Sequence, residues 1–395
     1  MRGGRLTSRE ARSRAAALWA LSALACAAPA PPQPAPAPIA RNTPPGAASA
    51  TAQPSTGREA ASERAPAAAS TPPDVPAPLS DARRAELEAV RAGDQALDAG
   101  QLPLARQNYA RAPASPAAQV GLIRVRWAEL GIGTAFAEAP RHAALEQLLG
   151  ELEAITRAHP EEPSASLEHG RVLLVLGDAE RALPSLRRAL ELDPRNAEAH
   201  SALGVAQLAT GHAQEALEEF QAAARLAPEQ PQRLANLGTA LLLRGRVSEA
   251  IATLERAVAL DPNDARARGD LGAAYLADDR ADQALPHLLR ATQLAPERAT
   301  FLTNLGYAYQ KQRQLDLAEQ TQRRAITCDP KLGSAWINLG NVLAELGRYA
   351  EAAAALHHAE RLDPTDPRPK ASLRDLAELE RGAPAAPAPV SEPRH

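Results

Sequence analysis

The chain has 395 residues and a formal charge of −3, and 45% of it is hydrophobic but only 3% aromatic. The near-neutral balance excludes the concentrated basic surface of a nucleic-acid binder, and so few rings leave little on which bases could stack. Two cysteines exclude a disulfide framework or a four-cysteine zinc site, and 35 prolines are too many for packed elements alone, so part of the chain is linker.

The first element is an address. Arg2, Arg5, Arg9, Arg12 and Arg14 form a basic lead opposed only by Glu10, and Ala15 to Ala25 follows as an apolar run. As a helix that run would be about 16 Å long, short of the ~30 Å hydrocarbon core of a bilayer. Basic lead, short apolar core and small residues after it predict a secretory signal peptide over 1–26. The run ends in Ala23-Leu24-Ala25-Cys26. This resembles the bacterial lipobox, with Ala23 where the best pattern has leucine. The resemblance implies that Cys26 is lipidated and becomes the mature N-terminus. Such a chain is a lipoprotein held to a membrane without spanning it. Ala27 lacks the aspartate that retains lipoproteins at the inner membrane in enteric bacteria, which points to the outer membrane, facing the periplasm. Cleavage after Ala27, Ala28 or Ala30 would instead give a periplasmic or secreted protein, and an Arg-rich leader also fits a mitochondrial presequence.

Residues 27–79 are Pro, Ala, Ser and Thr with balanced charges and no hydrophobic period. Such a segment buries too little apolar surface to offset its ordering entropy, so it reads as a disordered linker, spanning about 40 Å as a coil. Residues 383–395 repeat that composition as a tail.

The body repeats. Pro160, Pro194, Pro228, Pro262, Pro296, Pro330 and Pro364 stand 34 residues apart without a slip. Gly170, Gly204, Gly238, Gly272, Gly306 and Gly340 share a second phase, and Ala182, Ala216, Ala250, Ala284, Ala318 and Ala352 a third. The pattern resembles the tetratricopeptide repeat, a 34-residue helix–turn–helix unit. It predicts an all-α protein with six units at 163–196, 197–230, 231–264, 265–298, 299–332 and 333–366. In the fourth, helix A is expected near Ala265–Ala277 and helix B near Ala281–Gln293, with Leu288 and Ala291 on one face of B. Gly177, Gly211, Gly245 and Gly347 mark the turns inside units. Residues 80–162 read as divergent helices of the same kind, and 367–382 as an amphipathic capping helix. The resemblance implies a right-handed α-α superhelix whose A helices line a concave groove.

No Walker loop, dinucleotide glycine string, HExxH or GxSxG occurs, so no catalytic residue, metal site or cofactor is assigned and no enzymatic activity is expected. His357 and His358 point about 100° apart on a helix, which disfavours a shared metal. Glu168 and His169 do not face each other, and Cys328 is expected to be a buried structural thiol. What remains is a surface. Asn236, Asp270, Asn304 and Asn338 stand two places before the repeated glycine of four successive units. They resemble the asparagine ladder of the repeat domain of O-linked N-acetylglucosamine transferases, and an amide can serve a peptide backbone as both donor and acceptor. Their alternative role is to bond the neighbouring helix. Tyr307 and Asn341, with Thr239 and Ala273 at the same phase, are placed to select side chains, and Gln310 and Lys311 to extend the groove. The expected partner is a protein or peptide, with no nucleic acid and no small-molecule substrate. The layout is similar to tetratricopeptide lipoproteins that help type IV pilus secretins assemble, which implies a scaffold in an envelope complex. A soluble adaptor and a substrate-recruiting enzyme subunit are the other readings.

Overall fold

The structure, a computed structural model, describes residues 80–131 and 139–382; the leader with Cys26, the Pro/Ala linker and the tail lie outside them. Among the described residues every element is helical. The chain divides into two compact units, the first ending at Glu129.

The described part of the first unit holds α1 (Asp81–Asp98), α2 (Leu102–Tyr109) and α3 (Pro116–Glu129). The Ser80 hydroxyl accepts a hydrogen bond from the Arg83 amide (3.3 Å) and so caps α1. Tyr109 is fully buried. Its ring occupies the space that side chains at Gly93 and Gly121 would fill. Its hydroxyl donates to Asp94 (2.7 Å), which also takes the Arg124 guanidinium (2.8 Å). Burial and the Asp94 carboxylate push the phenol above its ordinary range.

The second unit begins with α4 (Ala139–Ala158) and continues as helix pairs. The A helices are α5 (Pro163–Val175), α7 (Ala197–Ala209), α9 (Pro231–Leu243), α11 (Ala265–Ala277), α13 (Ala299–Lys311) and α15 (Gly333–Glu345). Each is followed by its B helix: α6 (Ala179–Leu192), α8 (Ala213–Leu226), α10 (Val247–Leu260), α12 (Ala281–Leu294), α14 (Leu315–Cys328) and α16 (Tyr349–Leu362). The last helix is α17 (Pro367–Gly382). Each A helix packs on its own B helix, and each B helix on the next A helix. The array is an α-α solenoid of the kind the 34-residue period predicts, and α17 covers its last pair.

Local chemistry sets the boundaries. Pro262 lies in the turn before α11 rather than in its first helical turn. Asp264 starts the helix, its carboxylate accepting from the amides of Arg266 (2.8 Å) and Ala267 (3.0 Å). Asn196 caps α7 in the same way. Turns inside units need a left-handed residue, supplied by Gly177, Gly211, Gly245 and Gly347 at φ of 73–85°. Units four and five place Asp279 (φ 58°) and Arg313 (φ 62°) there instead.

The repeated glycine of each A helix receives one large side chain from its B helix. A Cβ on Gly272 would lie 2.5 Å from Leu288 Cγ, and one on Gly238 equally close to Leu254 Cγ. Leu186, Phe220 and Leu356 fill the same place against Gly170, Gly204 and Gly340. Fully burying such a side chain is worth roughly 1.5–3 kcal/mol. In the fifth unit the position belongs to Gln322. It is fully buried, its amide donates to the Thr303 carbonyl (2.9 Å), and its Oε1 finds no partner among the described residues. Helix α14 buries only Ala318, Thr321, Gln322 and Ala325. The apolar core is thinned there. One cluster runs from Leu208 to Ala308 and another from Ile337 to Leu376, with a small cluster of Leu302, Ala325 and Ala335 between them.

Two stability measurements check this packing. Gly272→Ala should destabilise the protein by about 1–2 kcal/mol, yet be neutral or stabilising in a Leu288→Ala background, where the three atoms nearest the added methyl are gone. Equal effects in both backgrounds would refute the contact. Gln322→Leu should raise stability by about 1–2 kcal/mol in denaturant unfolding, because it removes a buried unpaired carbonyl and restores the apolar side chain of the other units.

Candidate functional site: the A-helix face

Successive A helices touch directly, as α9 does α11, α11 does α13 and α13 does α15; no such row joins the B helices. Elements on the inside of a curved stack lie closest together, so the A helices form the inner face of this unit. The residues left partly accessible on them recur at i, i+7 and i+11, as Arg266, Ala273 and Ala277 do on α11. The ladder residues lie between them.

These ladder residues are nearly covered: Asn236 and Asn304 are 7% exposed, Asn338 5% and Asp270 4%. Two of them bond the preceding unit. Asn236 Nδ2 donates to Ser201 Oγ (2.8 Å), and the Thr239 hydroxyl donates to Asp270 Oδ2 (2.7 Å). Their geometry therefore includes the inter-helix bonding that was the alternative to a ligand role. Asn338 Nδ2 is buried without a partner, and Asn304 makes no side-chain hydrogen bond among the described residues. Tyr307 and Asn341 sit half-buried one turn further on, beside Asn304 and Asn338. Gln310 and Lys311 are tied along the edge. Lys311 Nζ lies 2.6 Å from Asp279 Oδ1, and Gln310 Nε2 donates to Glu345 Oε1 (2.7 Å), which Arg313 also grips. Both left-handed non-glycine residues thus carry side chains that clasp the next unit.

The other end of the face is charged. Glu168 occupies the ladder phase in the first unit and is 2% exposed. Arg171 bonds it at 2.9 Å and reaches Glu198 of the second unit at 3.0 Å. Burial alone would draw the Arg171 guanidinium down, but the two carboxylates outweigh it and hold it above the ordinary range. Burial lowers Arg233, which shares the neighbourhood of Glu198 and Arg171. Stepping the ladder back by two periods from Asn236, through Ala202 to Glu168, would have exposed this network in the sequence. The inner face thus changes from paired charges in the first units to uncharged amides and hydroxyls in the last two.

Elsewhere, Glu168 turns to Arg171 while His169 Nδ1 meets Ser185 Oγ (2.8 Å). His357 lies by Glu360, and His358 packs against the Trp336 ring at 4.1 Å between centroids. Among the described residues no group of three His, Cys, Asp or Glu side chains could hold a metal, and no helix is long and apolar enough to cross a membrane. The expectation for Cys328 is corrected: it is exposed. It ends a B helix at the phase of Leu226, Leu260 and Leu362, which are themselves 37–48% exposed.

An inner face built from stacked helix pairs defines a helical-repeat protein. Models described as tetratricopeptide repeat match residues 167–231, 207–275, 241–299, 299–332 and 333–366, together slightly more than half of the chain. The chain belongs to the tetratricopeptide-repeat family. Among solved structures it is similar to the APC/C hetero-tetramer Cut9–Hcn1, with 18% identity and a TM-score of 0.58 over 74% of this chain and 59% of that one. That likeness concerns the fold, and the chain spans less than two thirds of that relative. It is also similar to PilF of Pseudomonas aeruginosa (23% identity, TM-score 0.47, 56% of this chain and 99% of that one). YrrB, described as a tetratricopeptide-repeat protein with an unusual peptide-binding site, is 27% identical with a TM-score of 0.38 over 47% and 95% of the two chains. No curated protein sequence matches the chain.

Asp270 supplies a pH test. Burial raises its pKa, against the opposing pull of Arg266 and Thr239. A carboxyl whose folded pKa lies above its unfolded value lowers stability as pH climbs from the unfolded value through the folded one. Asp270→Asn removes that titration. Between pH 4 and pH 7 the wild-type melting temperature should therefore fall relative to that of the variant. A difference independent of pH would contradict the assignment.

Proposed function

We propose that the protein is a non-enzymatic interaction scaffold that binds an extended segment of a protein partner on its inner face, centred on the fifth and sixth units. One observation carries this: Asn304, Tyr307, Asn338 and Asn341 lie together on adjacent A helices, uncharged, with the Asn304 and Asn338 amides not fully hydrogen-bonded among the described residues. Such groups suit a peptide backbone of any sequence. Asn236 and Asp270, engaged between helices, would extend the rail and hold its spacing. The charged first units would contribute little, since Arg171 is already paired.

In this proposal the leader delivers the chain to the cell envelope, Cys26 carries the lipid, and residues 27–79 let the array reach partners from the outer membrane during assembly of an envelope complex. The support is the lipobox-like sequence and the order leader, linker, array. Labelled palmitate should enter the wild-type chain and not Cys26→Ser; label in neither would favour a soluble secreted adaptor. For the groove, replacing Asn304 and Asn338 together with alanine should weaken capture of a crosslinked envelope partner about tenfold and leave the melting temperature within a few degrees. Unchanged capture by a folded double variant would reassign both asparagines to structure.

A further inference from the structure

At the N-terminal edge of the last A helices lies a cavity of about 240 Å³, between the start of α13, the turn into α15 and the turn into α17. Thr300, Asn304, Lys331, Ser334, Asp363 and Arg368 are among the residues that line it. Asn304, which lines it, is more than nine-tenths buried and without a hydrogen-bond partner among the described residues. The Thr300 hydroxyl is likewise unpartnered. Helix α15 starts at this cavity, and the chain gives it no cap. Its N-cap residue is Leu332, which has no side-chain acceptor; Gln230 and Arg298 likewise leave α9 and α13 without a side-chain cap, whereas Glu162, Asn196 and Asp264 cap α5, α7 and α11. The amides of Gly333 and Ser334 therefore open toward the cavity with the positive end of a 13-residue helix behind them.

The charges around it are unequally engaged. Asp363 accepts from the Thr365 amide (2.9 Å) and hydroxyl (2.6 Å). Asp366 is held by the Arg368 amide and guanidinium at 2.7–3.0 Å. Lys331 is exposed and makes no ion pair among the described residues. Asp366 is thus neutralised by Arg368 and Asp363 is engaged through Oδ1, while an amide, the Ser334 hydroxyl, two backbone N–H groups and an ammonium stand ready to donate. That set matches an oxyanion.

We infer that this cavity binds a single oxyanion of the partner, a carboxylate or a phosphate group, at the edge of the inner face. The volume holds such a group with a few attached atoms, given roughly 30 Å³ for a water molecule. The inference rests on the proposed partner-binding role of this face, but free ions test it alone, so its failure would leave that role standing.

The test titrates the ¹⁵N-labelled full chain at pH 7 and constant ionic strength with sodium phosphate and, separately, with sodium acetate, using chloride as the balancing ion. The amide resonances of Gly333 and Ser334 and the side-chain amide of Asn304 should shift along a saturating curve. The apparent affinity should fall at least tenfold in Lys331→Ala and in Ser334→Ala, neither of which touches the core. Saturation by phosphate points to a phosphorylated partner segment, saturation by acetate to an acidic side chain or chain end, and the tighter ion decides if both saturate. No saturation with either ion, or curves unchanged in both variants, would overturn the inference.

Discussion

Everything in the array depends on one contact, repeated in successive units: a large B-helix side chain set into the space left by an A-helix glycine. Leu288 on Gly272 is the plainest case, with no room for even a methyl group between them. The contact fixes how closely the two helices of a unit approach. That distance fixes the apolar edge each unit presents to the next, and no unit can bury that edge alone. Stability is therefore shared between neighbours, and an error in one unit is felt in two.

The fifth unit departs from this rule where function is proposed. Gln322 replaces the apolar side chain, α14 buries no large one, and the same unit carries Thr300, Asn304 and Tyr307 on its inner face. A thinly packed unit opens locally at lower free energy than its neighbours. Asp279 and Arg313 act in the other direction. They hold a backbone conformation that favours glycine, and their side chains clasp the following unit along the groove edge. The weak core and the tied edge meet where the cluster that begins at Leu208 ends, at Leu305 and Ala308 of the fifth unit.

The fold was legible because it is periodic. The 34-residue spacing of Pro262 and its equivalents located the helix pairs, and α11 covers the stretch expected for helix A of the fourth unit, Ala265–Ala277. The inner face was legible only as a phase, since phase says which side of a helix a residue occupies and not what covers it. Asn236 and Asp270 lie at the predicted rungs but bond Ser201 and Thr239 of the unit before. Those bonds cross between units, where 34-residue phase carries no pairing information. Cys328 was misjudged for a related reason. Its residue type suggested burial, while its phase, shared with exposed leucines, already indicated the surface. The cavity beside α15 left no motif, because it depends on a cap that is missing at Leu332 and present at Asn196 and Asp264.

The central claim is that the inner face of the fifth and sixth units is where a partner lies. Site-specific photocrosslinking in the full chain tests it most directly, with p-benzoylphenylalanine in place of Tyr307 in one variant and of Leu260, exposed at the end of a B helix, in another. Light-dependent adducts from position 307 and none from position 260 are the predicted result. Adducts from position 260 alone would place the partner on the opposite side of the array and contradict the claim.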